Sequence, residues 1–217
     1  GCALSLMNSM RRSVYYTRSA LLSNANADLA LRSEPIRRLS RKPIPDIEAQ
    51  LSKRQITALH EADLKLASKK FIYIMNSGGR LTAPNAARLL ATQSAQSGRN
   101  VLLCDTTGQI EKEIKEKITT DESAFPIHNI NNCLSVITGV ACGSFFSAKT
   151  FSMTIKDLAK RYDQIFICTS NRHSQLGLMA LLEFAPSLIM ISGLRKTKKS
   201  DIKNIKSRQP IDLLFHD

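Results

Sequence analysis

Short apolar runs alternate with helical patterns along most of the chain. Phe71-Ile72-Tyr73-Ile74-Met75 is β-branched and aromatic and halts at Asn76-Ser77-Gly78-Gly79, as a buried strand meeting a turn would. Apolar residues at Ala86, Leu89, Leu90 and Ala95 then recur at helical spacing, and Gly98 closes that helix. A second run, Val101-Leu102-Leu103-Cys104, leads into Asp105. Strand, glycine turn, helix and strand predict a βαβ unit with parallel strands and a right-handed crossover. The rhythm continues with a strand from Leu134 ending in a loop by Gly139, a helix over Phe151 to Arg161, and an apolar run Ile165-Phe166-Ile167-Cys168. A helix over Leu176 to Glu183, a strand over Ser187 to Ser192, a helix over Lys198 to Lys206 and a strand over Ile211 to Phe215 complete it. The expected fold is α/β, a doubly wound, mostly parallel sheet flanked by helices.

The first quarter of the chain reads differently. Residues from about Leu4 to Leu31 have few breakers and predict a helix. Three prolines (Pro35, Pro43, Pro45) interrupt the next stretch, which reads as a linker or extended arm. A helix is expected over Asp46 to Ser68, capped by Asp46, with Ile47, Leu51, Ile56, Leu59, Leu64 and Leu66 apolar. The division expected is a helical and Pro-rich arm over 1–45 and an α/β domain over 46–217. Between Gln109 and Ile118, interleaved Glu and Lys predict a solvated surface helix.

The turn after the first strand has the position of a phosphate-binding loop. Such a loop needs glycines so that backbone N–H groups can wrap phosphates, a Lys for the β/γ-phosphates and a Ser/Thr for Mg²⁺. Counting back from Ala95-Gln96-Ser97-Gly98, the Gly-Lys-Ser/Thr triplet falls on Thr82, Ala83 and Pro84. Gly78 and Gly79 remain, and Arg80 offers a displaced charge.

These segments resemble the deviant-Walker P-loop ATPases, and within them the cytoplasmic domain of the bacterial tyrosine kinases (BY-kinases) of polysaccharide export. The loop helix of that family ends in an Ala-Gln-Ser-Gly-like sequence, followed by a strand of the form Val-Leu-Leu-x-Asp-x-Asp. This chain has Ala95-Gln96-Ser97-Gly98 and Val101-Leu102-Leu103-Cys104-Asp105-Thr106-Thr107, so the first Asp matches and the second is Thr107. Leu39 to Pro45 is similar to a membrane-proximal family element, and Leu134-Ser135-Val136 to a Leu-Ser-Val element. The family's second acidic strand reads Tyr-Asp-x-(three apolar)-Asp-Thr-Pro-Pro; here Tyr162, Asp163 and Thr169 match, but the Asp is Cys168 and both prolines are absent. Glu61-Ala62-Asp63-Leu64-Lys65 keeps a partial echo of the family's oligomerisation motif. A tyrosine-rich tail is missing, since Tyr15, Tyr16, Tyr73 and Tyr162 all lie far from Asp217.

The resemblance implies a P-loop NTPase-like fold over roughly Leu39 to Phe215, stripped of the charges that phosphoryl transfer uses. A thiol at position 168 does not replace a hard oxygen ligand for Mg²⁺. The expectation is a non-catalytic domain of an inner-membrane exopolysaccharide chain-length or export protein, on the cytoplasmic face. It would be tethered through its N-terminal segment and act through other export proteins or copies of itself. No catalytic residue, metal or cofactor is expected, and ATP with Mg²⁺ is disfavoured. Two alternatives stand beside this reading. One is a divergent nucleotide-binding enzyme using Gly78, Gly79, Arg80 and Asp105; the other is a partition-type ATPase relative whose basic ends bind DNA or membrane.

Charge and cysteine usage refine this only at the ends of the chain. The formal net charge of +13 is uneven: residues 1–70 carry +7, 71–193 carry +2 and 194–217 carry +4. Basic ends suit an anionic membrane surface or nucleic acid, and equally a solvated face; no aromatic interleaving supports nucleic acid, which is not an expected partner. Cys2 to Met7 followed by Arg11-Arg12 reads either as the last turns of a transmembrane helix with basic residues inside, or as an amphipathic helix start. No 18-residue apolar run occurs. The five cysteines (Cys2, Cys104, Cys133, Cys142, Cys168) show no metal spacing, and Cys104 and Cys168 are expected as small apolar fillers of buried strands. His60, His128, His173 and His216 are scattered.

Overall fold

The computed structural model describes residues 28–30, 53–77, 82–110, 127–137, 151–169, 174–192 and 213–216. In chain order the elements are β1 (Asp28–Ala30), α1 (Lys53–Leu66), β2 (Phe71–Ser77), α2 (Ala83–Gln96), β3 (Val101–Asp105), β4 (Ile127–Asn129) and β5 (Leu134–Ile137). They continue with α3 (Phe151–Arg161), β6 (Gln164–Cys168), α4 (Ser174–Leu181), a 3₁₀ turn (Leu182–Phe184), β7 (Ser187–Ser192) and β8 (Leu213–His216). One eight-stranded sheet runs in the order β1-β8-β7-β2-β6-β3-β5-β4. Every pairing is parallel except β4 with β5.

Parallel strands covered on both faces read as unbroken apolar runs, and the alternation of side chains explains why. Ile72 and Ile74 of β2, Val101 and Leu103 of β3, and Phe166 and Cys168 of β6 pack on one face against α1 and α2. Their neighbours Tyr73, Met75, Leu102, Cys104, Ile165 and Ile167 pack on the other against α3 and α4. Helix α2 is buried along almost its whole length, and its alanines let it sit close to the sheet. It ends at Gln96 with Ser97 as cap, and Gly98 follows at φ 86°, the left-handed residue that the sequence predicts.

Several expected boundaries move. Residues 28–30, expected in a long helix, form β1 and pair with Leu214, Phe215 and His216 of β8. The uncovered edge of β8 offers backbone donors and acceptors that three residues in extended form satisfy, so pairing overrides helix propensity. One strand from the arm therefore enters the sheet of the domain. Helix α4 lies earlier than expected, at Ser174–Leu181, and the chain leaves its 3₁₀ turn at Ala185 with a left-handed φ of 45°. Strand β4 has no counterpart in the sequence reading, because three residues are too few to show a period. Strand β8 is Leu213–His216 instead of Ile211 to Phe215. Gln109 and Ile110 lie in a turn, and the rest of the charged segment lies outside the described residues. So do Asp46, the proline arm and the segment 198–206.

At the amino ends of the strands a buried polar network ties the layers together. Gln164, at the start of β6, is 1% exposed; its Nε2 donates to the Leu66 carbonyl at 2.6 Å and the Lys69 carbonyl at 3.2 Å, and its Oε1 accepts from Ser94 Oγ. Ser94 also accepts from Arg99 Nε at 2.8 Å, and the Arg99 guanidinium pairs with Asp63 of α1. Ser97 Oγ donates to Asp63 at 2.8 Å. Asp63 of the expected oligomerisation echo is thus turned inward, whereas Glu61, Leu64 and Lys65 are exposed. Gln164→Leu is expected to lower unfolding free energy by roughly 1 to 3 kcal/mol, since it leaves the buried Ser94 hydroxyl without its acceptor and takes a donor from the Leu66 and Lys69 carbonyls. Urea unfolding measures this, and a loss below about 0.5 kcal/mol would mean these groups find other partners.

Candidate functional site at the carboxyl ends of β2, β3 and β6

In an open parallel sheet, ligands bind beyond the carboxyl ends of strands, where neighbouring strands lead off in opposite directions. Here β2 leads through α2 to β3 and the adjacent β6 leads through α4 to β7, on opposite sides of the pair. The expected site residues that are described converge on this point. Gly78, Gly79 and Arg80 lie outside the described residues. Thr82, Ala83 and Pro84 open α2, and Asp105, Thr107 and Cys168 gather at the ends of β3 and β6.

The start of α2 is shaped for helix capping and packing. Thr82 is extended (φ −79°, ψ 153°), and its Oγ1 accepts from Asn85 N at 3.4 Å. Ala83, at the position where the family's lysine falls, is buried against the sheet and carries no charge. Pro84 sits in the first turn, where its missing N–H costs the helix nothing but leaves an anion one donor fewer.

Asp105 is 1% exposed, and its carboxylate is occupied by its own chain. Oδ1 accepts from Thr107 N at 2.9 Å and Thr107 Oγ1 at 2.6 Å, and Oδ2 accepts from Ile110 N at 2.7 Å. Cys168 Sγ lies 3.6 Å from both Oδ1 and the Cys104 carbonyl, and its single proton is shared between these two acceptors. Both oxygens thus accept bonds from the chain itself, with the donors crowded on Oδ1 and one on Oδ2. Thr107, which stands for the family's second Asp, thereby closes an Asx-type turn that Gly108 completes at φ 68°. The signal for that turn, Asp followed three residues later by Gly, was present in the sequence. Thr106 anchors the loop to β6 by donating its N–H and Oγ1 to the Cys168 carbonyl at 3.2 and 2.9 Å.

Cys168 is fully buried. Burial pushes its thiol pKa well up, and the neighbouring Asp105 charge and the S–H···carboxylate bond raise it further. Cys104 is likewise raised, first by burial and then by Asp105. Both thiols are free and stay protonated across the physiological range, so neither is a nucleophile there. Thr169 is spent on the sheet: its Oγ1 and Tyr73 Oη are hydrogen-bonded at 2.8 Å in the buried interior. Among the described residues no group of three or more His, Cys, Asp or Glu could hold a metal ion. These residues do not fit Mg²⁺ with a nucleotide triphosphate: the thiol is neutral and soft, and the one carboxylate is buried and holds its own loop through both oxygens.

No family profile matches the chain, and no curated protein sequence matches it. Solved structures do. The BceF tyrosine kinase domain superposes with a TM-score of 0.64 at 15% identity, covering 94% of this chain and 98% of the other. The chain has the bacterial tyrosine-kinase fold. The chimerical protein CapA2B2 matches at TM-score 0.61 and 13% identity, covering 92% and 98%. The kinase domain of the Escherichia coli tyrosine kinase ETK matches at 0.54 and 12%, covering 93% and 94%. Within this fold the carboxyl end of the sheet is lined, among the described residues, by hydroxyls, thiols and one buried carboxylate. Sequence reasoning marked Asp105 and Cys168 but not their bond to each other, because partners on separate strands become neighbours only through the β3–β6 register.

Proposed function

We propose that this domain keeps the tyrosine-kinase fold as a non-catalytic scaffold. The observation that carries the reading is the buried Cys168 thiol hydrogen-bonded to Asp105, where Mg²⁺ ligation would require free carboxylate oxygens. In this reading it is the cytoplasmic domain of an inner-membrane protein of exopolysaccharide chain-length control or export. It works by contacts with other export proteins or further copies of itself, and residues before the domain tether it to the membrane. The family likeness supports that setting. Among the described residues no helix is long and apolar enough to cross a membrane.

A phosphoryl-transfer assay on the purified chain with labelled ATP, Mg²⁺ and a tyrosine copolymer tests the catalytic half. Turnover indistinguishable from the buffer control is expected. Turnover that disappears in Arg80→Ala would reverse the reading. The second reading, nucleotide binding at a displaced site, draws support from the order of β2 followed by α2, which sets a helix N-terminus at the crevice.

A further inference from the structure

At the opposite, amino end of the sheet lies an open cavity of about 740 Å³, in the size range of small-molecule sites. Its wall is formed by the residue before β3, the β4–β5 turn and the junction of α3 with β6. Binding pockets are usually apolar with a few polar groups. This one inverts the pattern: of the seven described residues that line it four are asparagines, and none is aliphatic.

The asparagines are wired so that their donor ends are left over. Asn131 Oδ1 accepts from Cys133 N and Leu134 N, both at 2.8 Å, and Asn129 Oδ1 accepts from Ser135 Oγ at 2.9 Å. Their Nδ2 groups have no partner among the described residues. Asn100 Nδ2 donates to the Arg161 carbonyl at 2.8 Å, which fixes the end of α3. The exposed Arg161 guanidinium lies over the Tyr162 ring, 5.8 Å from its centre. Among the described residues no carboxylate lines the cavity. The nearby Asp163 accepts from Asn100 N at 2.8 Å. Fixed amide donors around one guanidinium favour an acceptor-rich anion, and the remaining amide groups of Asn100 and Asn132 suit hydroxyls.

We propose that this cavity binds an anionic sugar, bearing a carboxylate or a phosphate, with Asn129, Asn131 and Arg161 donating to the oxyanion and Asn100 and Asn132 meeting ring hydroxyls. The site lies away from the carboxyl-end crevice and stands whether or not that crevice is inert.

Calorimetry on the whole chain with glucuronate, glucose 1-phosphate, glucose and inorganic phosphate tests it. At least one charged sugar should bind in the millimolar range or tighter, at least about tenfold better than glucose or phosphate. Glucuronate against glucose 1-phosphate separates the carboxylate from the phosphate source. Asn131→Asp keeps the turn-capping oxygen and replaces the donor by a negative acceptor, so affinity should fall at least about tenfold with unchanged thermal unfolding. Arg161→Gln, at an exposed position, should do the same and serves if Asn131→Asp does not fold. Absence of binding by both charged sugars overturns the proposal. So does phosphate binding as tightly as the sugars, or affinity untouched by both substitutions.

Discussion

Replacing Cys168 by aspartate, the residue that the family resemblance places at this strand end, should destabilise the domain by about 3 to 5 kcal/mol at neutral pH. The side chain is fully buried and its register partner is Asp105, so the substitution sets a second carboxylate beside one already there. Neither has a cation among the described residues at the carboxyl ends of β2, β3 and β6 to offset the repulsion. Burial and like charge raise the folded pKa of the new carboxyl above its unfolded value of about 4. Between those values the folded state holds more protons than the unfolded state. The variant's stability is therefore intact below about pH 4 and is lost as pH rises through the folded pKa. Cys168→Ser, close in size, should cost much less, about 1 to 2 kcal/mol. The parent has its own alkaline counterpart. Its raised thiols leave stability whole below about pH 9, then cost about 1.4 kcal/mol per pH unit each as the unfolded thiols ionise. Urea unfolding at pH 5 and pH 8 measures the first effect, and unfolding of the parent at about pH 8 and about pH 10 the second. A Cys168→Asp variant as stable as the parent at pH 8 would mean that a cation does reach this strand end.

Asp105→Ala should lose a comparable amount, about 3 to 5 kcal/mol, because hydrogen bonds to a buried charge contribute roughly 1.5 to 3 kcal/mol each. The alanine leaves Ile110 N and Thr107 N without their acceptor, and the loop of residues 106–110 loses what holds its turn. Asp105→Asn retains one acceptor oxygen and should fall between. The loss is expected with and without Mg²⁺ and ATP. A carboxylate held free for a metal behaves differently, since removing it relieves an uncompensated charge. Unchanged or increased stability of Asp105→Ala would thus speak for a ligand role.

The layers of this fold were legible because parallel strands buried on both faces leave continuous apolar runs. Ser187–Ser192 and Phe71–Met75 announce themselves in that way, and Phe151–Arg161 shows its period cleanly. Strand β1 was not legible, since only its pairing with β8 makes Asp28–Ala30 extended. Strand β4 carries too few residues for any pattern. At the candidate site the eroded positions could be read one by one, Ala83 for a lysine and Cys168 for an aspartate. What replaced the lost chemistry could not. The bond between Cys168 and Asp105 depends on strand register, and the Gln164 network joins residues up to 98 positions apart.

Titration of the purified chain with ATP and ADP by calorimetry, with and without Mg²⁺, addresses the central claim most directly. A buried Asp105 tied to its own loop and a neutral Cys168 predict no heat of binding at millimolar nucleotide in either condition. Saturable, Mg²⁺-dependent binding that vanishes in Arg80→Ala would contradict the scaffold reading and return the domain to the active enzymes whose fold it shares.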